Sequence, residues 1–257
     1  AAVARDAQLR AGAERHRARE LRPIAGAILT VGGGRAASRR PAVIHGRGKI
    51  PGRRVPPVPL AFGIVPMRAL ACELPDQNGW VYEPRWHGIR ALVTDDNGRV
   101  VITDDTGADI SLKFPEIRRI GRALGHRELI LDGVIVPVDP SPDGSGSGAV
   151  RHDRRGLAWR LRIRSDSGAR NAARTAPTVF MAFDVLWVDG RPITGLPWEL
   201  RRRQLDDLRL DGPGWRTSPT VDVVTAFGLI DDGVGIIAKR VASPYEIAKT
   251  TGSWISA

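Results

Sequence analysis

Lysine is nearly missing from this chain. Four occur, at positions 49, 113, 239 and 249, against thirty-five arginines in 257 residues. An amine that could act as a nucleophile has few addresses here, while permanent positive charge has many. Cysteine is scarcer still: Cys72 stands alone, which excludes an internal disulfide and suits a reducing compartment. The five histidines, at 16, 45, 87, 126 and 152, are scattered without cysteine partners at zinc-ligand spacing, so no structural metal site is expected. Long hydrophobic runs are also lacking. Ile24 to Val31 is the longest near the start, far below the roughly 20 residues that cross a bilayer. It is also too short and badly placed for a signal peptide. A cytoplasmic protein with no membrane partner is the expectation, and the opening alanine fits an initiator methionine already removed.

What is present is arginine with alanine, glycine and proline, and a net charge of +11 that is unevenly spread. Residues 1–60 hold 13 basic against 3 acidic side chains, whereas the remainder holds 26 against 25. Residues 3–21 are rich in helix formers but offer mostly alanine to bury. Residues 32–60 have the Gly, Pro and Arg content of a linker. Two regions are therefore expected: a basic arm over 1–60, with a helix over 3–21, and a globular domain over 61–257. The arm could contact DNA or RNA, with Arg39, Arg40, Arg53 and Arg54 as candidates, or it could dock on a protein complex. A GC-rich genome would produce the same arginine bias without selection for binding. A second basic segment, 151–174, carries eight arginines against two aspartates and reads as a loop, with Arg151, Arg154, Arg155, Arg160, Arg162 and Arg164 as contact candidates. Setting both segments aside leaves 18 basic against 23 acidic side chains. Any polyanion contact is thus expected to run through those two segments.

The domain reads as a mixture of strands and helices. Trp80 to Arg85, Ala91 to Thr94 and Arg99 to Thr103 read as strands, with a turn signal at Asp96-Asn97-Gly98. Phe114-Pro115-Glu116 opens a helix carrying Ile117, Ile120 and Leu124. Glu128 to Val138 and Val179 to Val188 are apolar enough to be buried strands. Pro197 starts a helix with Leu200, Leu205 and Leu208 inward and Arg201, Arg202 and Arg203 outward. Gly235 to Arg240 is a short strand. Antiparallel strand pairs with interspersed helices indicate an α+β domain.

Four segments carry chemistry in order. They are Tyr82-Glu83-Pro84-Arg85-Trp86-His87-Gly88-Ile89-Arg90, Leu131-Asp132-Gly133-Val134-Ile135-Val136, Phe183-Asp184-Val185-Leu186-Trp187-Val188-Asp189-Gly190, and Val234-Gly235-Ile236-Ile237-Ala238-Lys239-Arg240. The last continues through Ser243-Pro244-Tyr245 and Gly252-Ser253-Trp254. Together they resemble the adenylation (nucleotidyltransferase) domain of ATP-dependent DNA ligases, most closely the ligase D type of bacterial end joining, over roughly residues 66–257. The resemblance implies an ATP-grasp-like adenylation fold of antiparallel sheets flanked by helices. It also implies a bacterial chain that could associate with the nucleoid. Lys49-Ile50-Pro51-Gly52-Arg53-Arg54 imitates part of the first motif but lacks its aspartate and flanking strands, and reads as coincidence.

In that family a lysine attacks the α-phosphate of ATP, and carboxylates hold the divalent metals that neutralise the triphosphate. The matching positions here have changed. Arg85 stands at the nucleophile, and a guanidinium that stays protonated cannot replace the amine. His87 replaces the aspartate two residues on. Val134 and Val234 replace the two metal-side glutamates, and Asp105 falls where the family has an arginine. Trp254-Ile255-Ser256-Ala257 lacks both lysines of the last motif, and no C-terminal OB domain is expected. By resemblance, Glu83 would accept a hydrogen bond from adenine, Phe183 and Ile236 would flank its ring, and Arg90 and Lys239 would face ribose or phosphates. The alternatives are ordinary core packing for Phe183 and Ile236, a structural ion pair between Glu83 and Lys239, and Arg85 neutralising Glu83 or Asp184. The expectation is a pseudo-ligase that needs no cofactor and binds ATP and magnesium only if residual affinity survives. An active or auxiliary ligase component borrowing groups from another chain, and a basic protein tethered to nucleic acid or a large complex, are the other readings.

Overall fold

The computed structural model describes residues 63–125, 127–140, 148–151 and 155–257. The expected arm, its helix over 3–21, and Arg39, Arg40, Arg53, Arg54 and Arg154 lie outside the described residues, as does the side chain of Arg155.

Two sheets organise the described chain. The smaller has β1 (Arg68–Ala71), β2 (Trp80–Pro84), β10 (Ile236–Arg240) and β11 (Thr250–Ser256) in the order β1-β11-β10-β2. The larger has β3 (Ile89–Asp96), β4 (Arg99–Asp104), β5 (Glu128–Pro137), β6 (Thr178–Val188), β8 (Asp211–Gly212) and β9 (Trp215–Thr217) in the order β4-β3-β5-β6-β9-β8, with β7 (Arg191–Pro192) paired to β6. Pairing is antiparallel except for β1 with β11 and β6 with β9. The helices are α1 (Pro115–Arg118), α2 (Ile120–Leu124), α3 (Arg155–Ala158), α4 (Asp166–Thr175), α5 (Trp198–Asp207) and α6 (Val223–Asp231). This is the mixed α+β architecture the sequence indicates, and no described helix is long and apolar enough to cross a membrane.

Local chemistry explains the turns. Asn97 and Gly98 hold φ of 52° and 95°, closing the β3–β4 hairpin as the Asp96-Asn97-Gly98 signal predicts. Asp189 and Gly190 do the same after β6, at 45° and 80°. β5 and β6 are buried along nearly their whole length. On one face Leu131, Ile135, Phe180, Ala182 and Val185 join Phe114, Ile117 and Ile120 in the main core. On the other face the strands carry the polar motif residues. Gly88 and Gly133 permit close approaches, Gly88 beside Val134 and Gly133 under the Phe180 ring on the core side. A Cβ on Gly88 would lie 2.0 Å from the Ile135 carbonyl oxygen, and one on Gly133 would lie 2.4 Å from that of Met181.

Three expectations are corrected. From residue 155 on, segment 151–174 is not a loop. It holds α3, a 3₁₀ turn over Arg160–Arg162, and α4, which is capped by the Ser165 hydroxyl accepting from the Gly168 amide. Arg160 is fully buried rather than offered to a polyanion, because Glu116 and the carbonyls of Lys113 and Ala176 give each of its three guanidinium nitrogens a partner inside. In α5, Leu200 is the exposed side chain and Arg201 the fully buried one, because Asp184 lies beneath the helix and draws the guanidinium inward. β1, β11 and α6 were not anticipated. α6 starts where the Asp222 carboxylate accepts from the Thr225 amide.

Candidate functional site

Facing segments of the two sheets enclose a cleft of about 270 Å³. β2 contributes Glu83 and Pro84, followed by Arg85, Trp86 and Gly88; β3 contributes Arg90, β5 Val134 and β6 Phe183. Ile237, Lys239, Trp254 and Ser256 complete it from β10 and β11, with Arg68 and Ala69 of β1 at the side. Four segments far apart in sequence thus meet at one place, as their order suggested. Strand alternation decides which members face inward. Ile237 lines the cleft, whereas Ile236, the residue expected to flank a ring, is fully buried and is not part of the lining. A one-residue change of phase moves a side chain to the opposite face.

Glu83 and Lys239 are both buried, at 2 % and 1 % exposure, so their charges would be costly unpaired. Lys239 Nζ donates to Glu83 Oε1 at 2.8 Å and to the Phe183 carbonyl at 3.1 Å. Arg202 stands 3.8 Å from the same Glu83 oxygen. Burial raises the Glu83 pKa against the lowering influence of Lys239 and Arg202, and burial lowers that of Lys239 against the opposite pull of Glu83 and Asp184. The structural ion pair is therefore the geometry realised. The Lys239 ammonium also lies 4.3 Å from the Phe183 ring centroid and 4.5 Å from that of Trp254, within cation–π range.

Arg90 makes a second knot. Its guanidinium donates to both oxygens of fully buried Asp132, at 2.7 and 2.6 Å, and lies 4.5 Å from the Phe183 centroid. Burial works against the arginine charge, but Asp132 outweighs it and the pKa of Arg90 is raised. The Tyr245 hydroxyl donates to Asp132 at 2.7 Å, and its pKa is raised well above the ordinary value by burial and by that carboxylate. Asp184 is held by two bonds from Arg201, at 2.8 and 2.9 Å. Sequence reasoning quoted Asp132, Tyr245 and Trp254 within the motifs without giving them a role, and it placed Arg201 outward; the structure brings all four into this assembly. The tandem motif carboxylates were the available signal.

Arg85 does not neutralise Glu83 or Asp184. Its side chain is exposed at the cleft mouth, has no ion pair among the described residues, and packs over Gly235. Val134 lines the cleft with its side chain 9 % exposed, while Val234 is half-buried outside the lining, as is His87. Asp105 pairs with Arg68 at 3.6 Å on the surface. Arg151 lies 3.7 Å from Asp139, and Arg162 and Arg164 are exposed. The cleft's one lining carboxylate, Glu83, is committed to Lys239, and no group of three metal-ligating side chains occurs among the described residues.

Comparison with known proteins matches this arrangement. Residues 66–256 match the model of the ATP dependent DNA ligase domain. The chain is 34 % identical over 198 residues to DNA ligase C1 of Mycolicibacterium smegmatis, covering 73 % of this chain and 55 % of that protein. It is 29 % identical over 184 residues to the multifunctional non-homologous end joining DNA repair protein LigD of Mycobacterium tuberculosis, covering 68 % of this chain and 21 % of that protein. The chain therefore spans about half or less of these relatives' length. Among solved structures, mycobacterial DNA ligase D complexed with ATP and MES superposes with a TM-score of 0.58 at 25 % identity, over 75 % of this chain and 59 % of that one. The ligase domain of LigD from M. tuberculosis gives the same score and identity, over 75 % and 58 %. The chain belongs to the ATP-dependent DNA ligase family, and its two sheets carry that family's nucleotidyltransferase fold in the form found in ligase D.

Proposed function

We propose that this chain is a ligase-family domain that forms no lysyl adenylate and serves as a binding module. Arg85 carries the reading: a guanidinium at the nucleophile position has no lone pair to offer phosphorus at any ordinary pH. The surroundings support it. Glu83, the adenine acceptor by resemblance, is engaged by Lys239. Val134 and Val234 cannot coordinate metal, so charge developing on a triphosphate would go uncompensated. The module needs no cofactor. Its setting is DNA repair, the process in the name of its ligase D relative.

The test is incubation of the 257-residue chain with labelled ATP and magnesium or manganese, followed by denaturing electrophoresis. No labelled protein is expected. Arg85→Lys alone should also stay unlabelled, while adding Val134→Glu and Val234→Glu to it supplies the missing metal side. An acid-labile band in the unmodified chain, lost on changing Lys239 or another lysine, overturns the proposal. Rapid labelling of Arg85→Lys alone overturns the part assigned to the valines.

A further inference from the structure

Stretches remote in sequence wall a second cavity, of about 400 Å³, that shares no lining residue with the cleft. Its volume falls in the range of pockets that enclose small molecules, roughly 300–1,000 Å³. α1 supplies Glu116, with Arg119 just past its end, α4 supplies Arg170 and Arg174, and prolines at 115, 140, 177 and 213 stand in the walls. Those walls are rigid. Proline fixes its own φ. The Val138 amide donates to the Pro177 carbonyl at 3.1 Å, which holds the entry to β6 against the end of β5. Gly214 lets the β8–β9 turn close down on α1, since a Cβ there would stand 2.8 Å from the Glu116 carbonyl oxygen. A pocket with rigid walls loses little entropy on binding.

The polar part of the lining is asymmetric in charge. Arg119, Arg170 and Arg174 are exposed, and none has a carboxylate at ion-pair distance among the described residues. Arg170 and Arg174 stand one turn apart in α4, a spacing at which like charges repel. Arg174 donates to Asn171 Oδ1 at 2.9 Å, which orients the guanidinium without neutralising it. The lining holds one carboxylate, Glu116, with its side chain 13 % exposed. Oε1 accepts from Arg160 and from the Thr178 hydroxyl, whereas Oε2 accepts from Arg160 alone. A carboxylate has about four acceptor positions, so one remains on Oε2. The apolar wall is proline and alanine, with no aromatic ring.

We propose that this cavity binds a small hydroxylated phosphate ester of the sugar bisphosphate class. The arginine forks take the phosphate oxygens. A sugar hydroxyl donates to the remaining position on Glu116 Oε2, and the C–H faces of the ring pack on the prolines. The lining disfavours other phosphate carriers. The backbone of a duplex brings phosphate oxygens but no hydroxyl to donate, so Glu116 would repel it. Unpaired nucleotides gain by stacking on aromatic side chains, and this wall has none. The site uses no residue of the cleft and stands whether or not the chain forms an adenylate.

Isothermal titration calorimetry of the full chain with fructose 1,6-bisphosphate at physiological ionic strength tests this. Saturable binding with a dissociation constant below about 1 mM is expected. Arg170→Gln with Arg174→Gln removes charge-assisted hydrogen bonds and should weaken it at least about tenfold. Arg99→Gln with Arg122→Gln removes the same charge at exposed positions outside the cavity and should weaken it less than about threefold. The bisphosphate of 1,6-hexanediol, which spaces two phosphates without sugar hydroxyls, should bind at least about tenfold more weakly than the sugar ester. Should the Arg170 and Arg174 variant not fold, phenylglyoxal labelling of the unaltered chain decides. The sugar bisphosphate should then protect Arg119, Arg170 and Arg174 and leave Arg99 and Arg122 reactive. No saturable binding, equal weakening by both variants, the diol bisphosphate or pyrophosphate binding as tightly as the sugar ester, protection confined to other arginines, or displacement of the sugar ester by a DNA duplex would each overturn the proposal.

Discussion

The two sides of the larger sheet, the cleft and the helix layer over the core, use arginine in opposite ways. Toward the cleft, Arg90 and Arg201 are each spent on a buried aspartate through two hydrogen bonds. On the helices that cover the core face, Arg118, Arg119 and Arg122 stand exposed with no acidic partner among the described residues. Desolvation separates the cases. A charge taken from water must be paired or it destabilises the fold strongly, whereas a charge left in water costs little and stays available. The first arrangement holds a shape. The second holds a charge in reserve.

The largest disturbance of the contrast should come from Arg201→Met. Asp184, 1 % exposed, would be left buried with its main partner gone. A loss of about 3–5 kcal/mol in urea unfolding is expected; a loss no larger than that of an exposed substitution would show the pair to be dispensable. Lys239→Met should cost less, about 2 kcal/mol, because Glu83 can take up a proton and Arg202 remains nearby. Changing Glu83→Leu with it should recover most of that loss. The single variant also acquires a pH dependence. Burial holds the folded pKa of Glu83 above its ordinary value of 4.5, and without Lys239 the rise should be greater. The folded state then binds the proton more tightly than the unfolded state. Stability is accordingly retained below the ordinary carboxylate range and lost as pH rises from there through the folded pKa. Unfolding curves across the mildly acidic range check the sign. At the small end, replacing Arg118, Arg119 and Arg122 by glutamine should shift stability by no more than about 0.5 kcal/mol. A large loss there would mean that the outer arginines are structural after all.

Much of the fold was legible because it rests on local patterns. Apolar runs marked β5 and β6, the Asn97-Gly98 turn marked a hairpin, and Pro115 marked a helix start. The cleft was legible as four ordered motifs. What escaped depends on partners distant in sequence. Nothing near Arg160 announces that Glu116, 44 residues earlier, will bury it. Nothing in the helical pattern of α5 announces that Asp184 will turn Arg201 inward and leave Leu200 outside. Ile236 and Ile237 are equivalent in composition, and only the register of β10 against β2, Ile237 opposite Glu83, separates them. α6 carried a readable cap in Asp222, but its two leading valines and its glycine do not favour a helix on their own.

The pairing of the strands has a consequence for the order of assembly. β3 to β9 are close to consecutive in the chain, whereas the smaller sheet joins β1 and β2 to β10 and β11, so that Arg68 pairs with Thr250. Closing so long a loop is entropically expensive and is expected late, after the larger sheet has formed around its core. Glu83, Lys239 and Trp254 belong to the late sheet, so the cleft should be the last feature to exist during refolding and the first to vanish during unfolding. Substitutions at Lys239 should therefore accelerate unfolding while leaving the refolding rate almost untouched, whereas substitutions at Leu131 or Phe180 should slow refolding. Stopped-flow chevrons of the two sets would show whether this molecule builds its scaffold before its site.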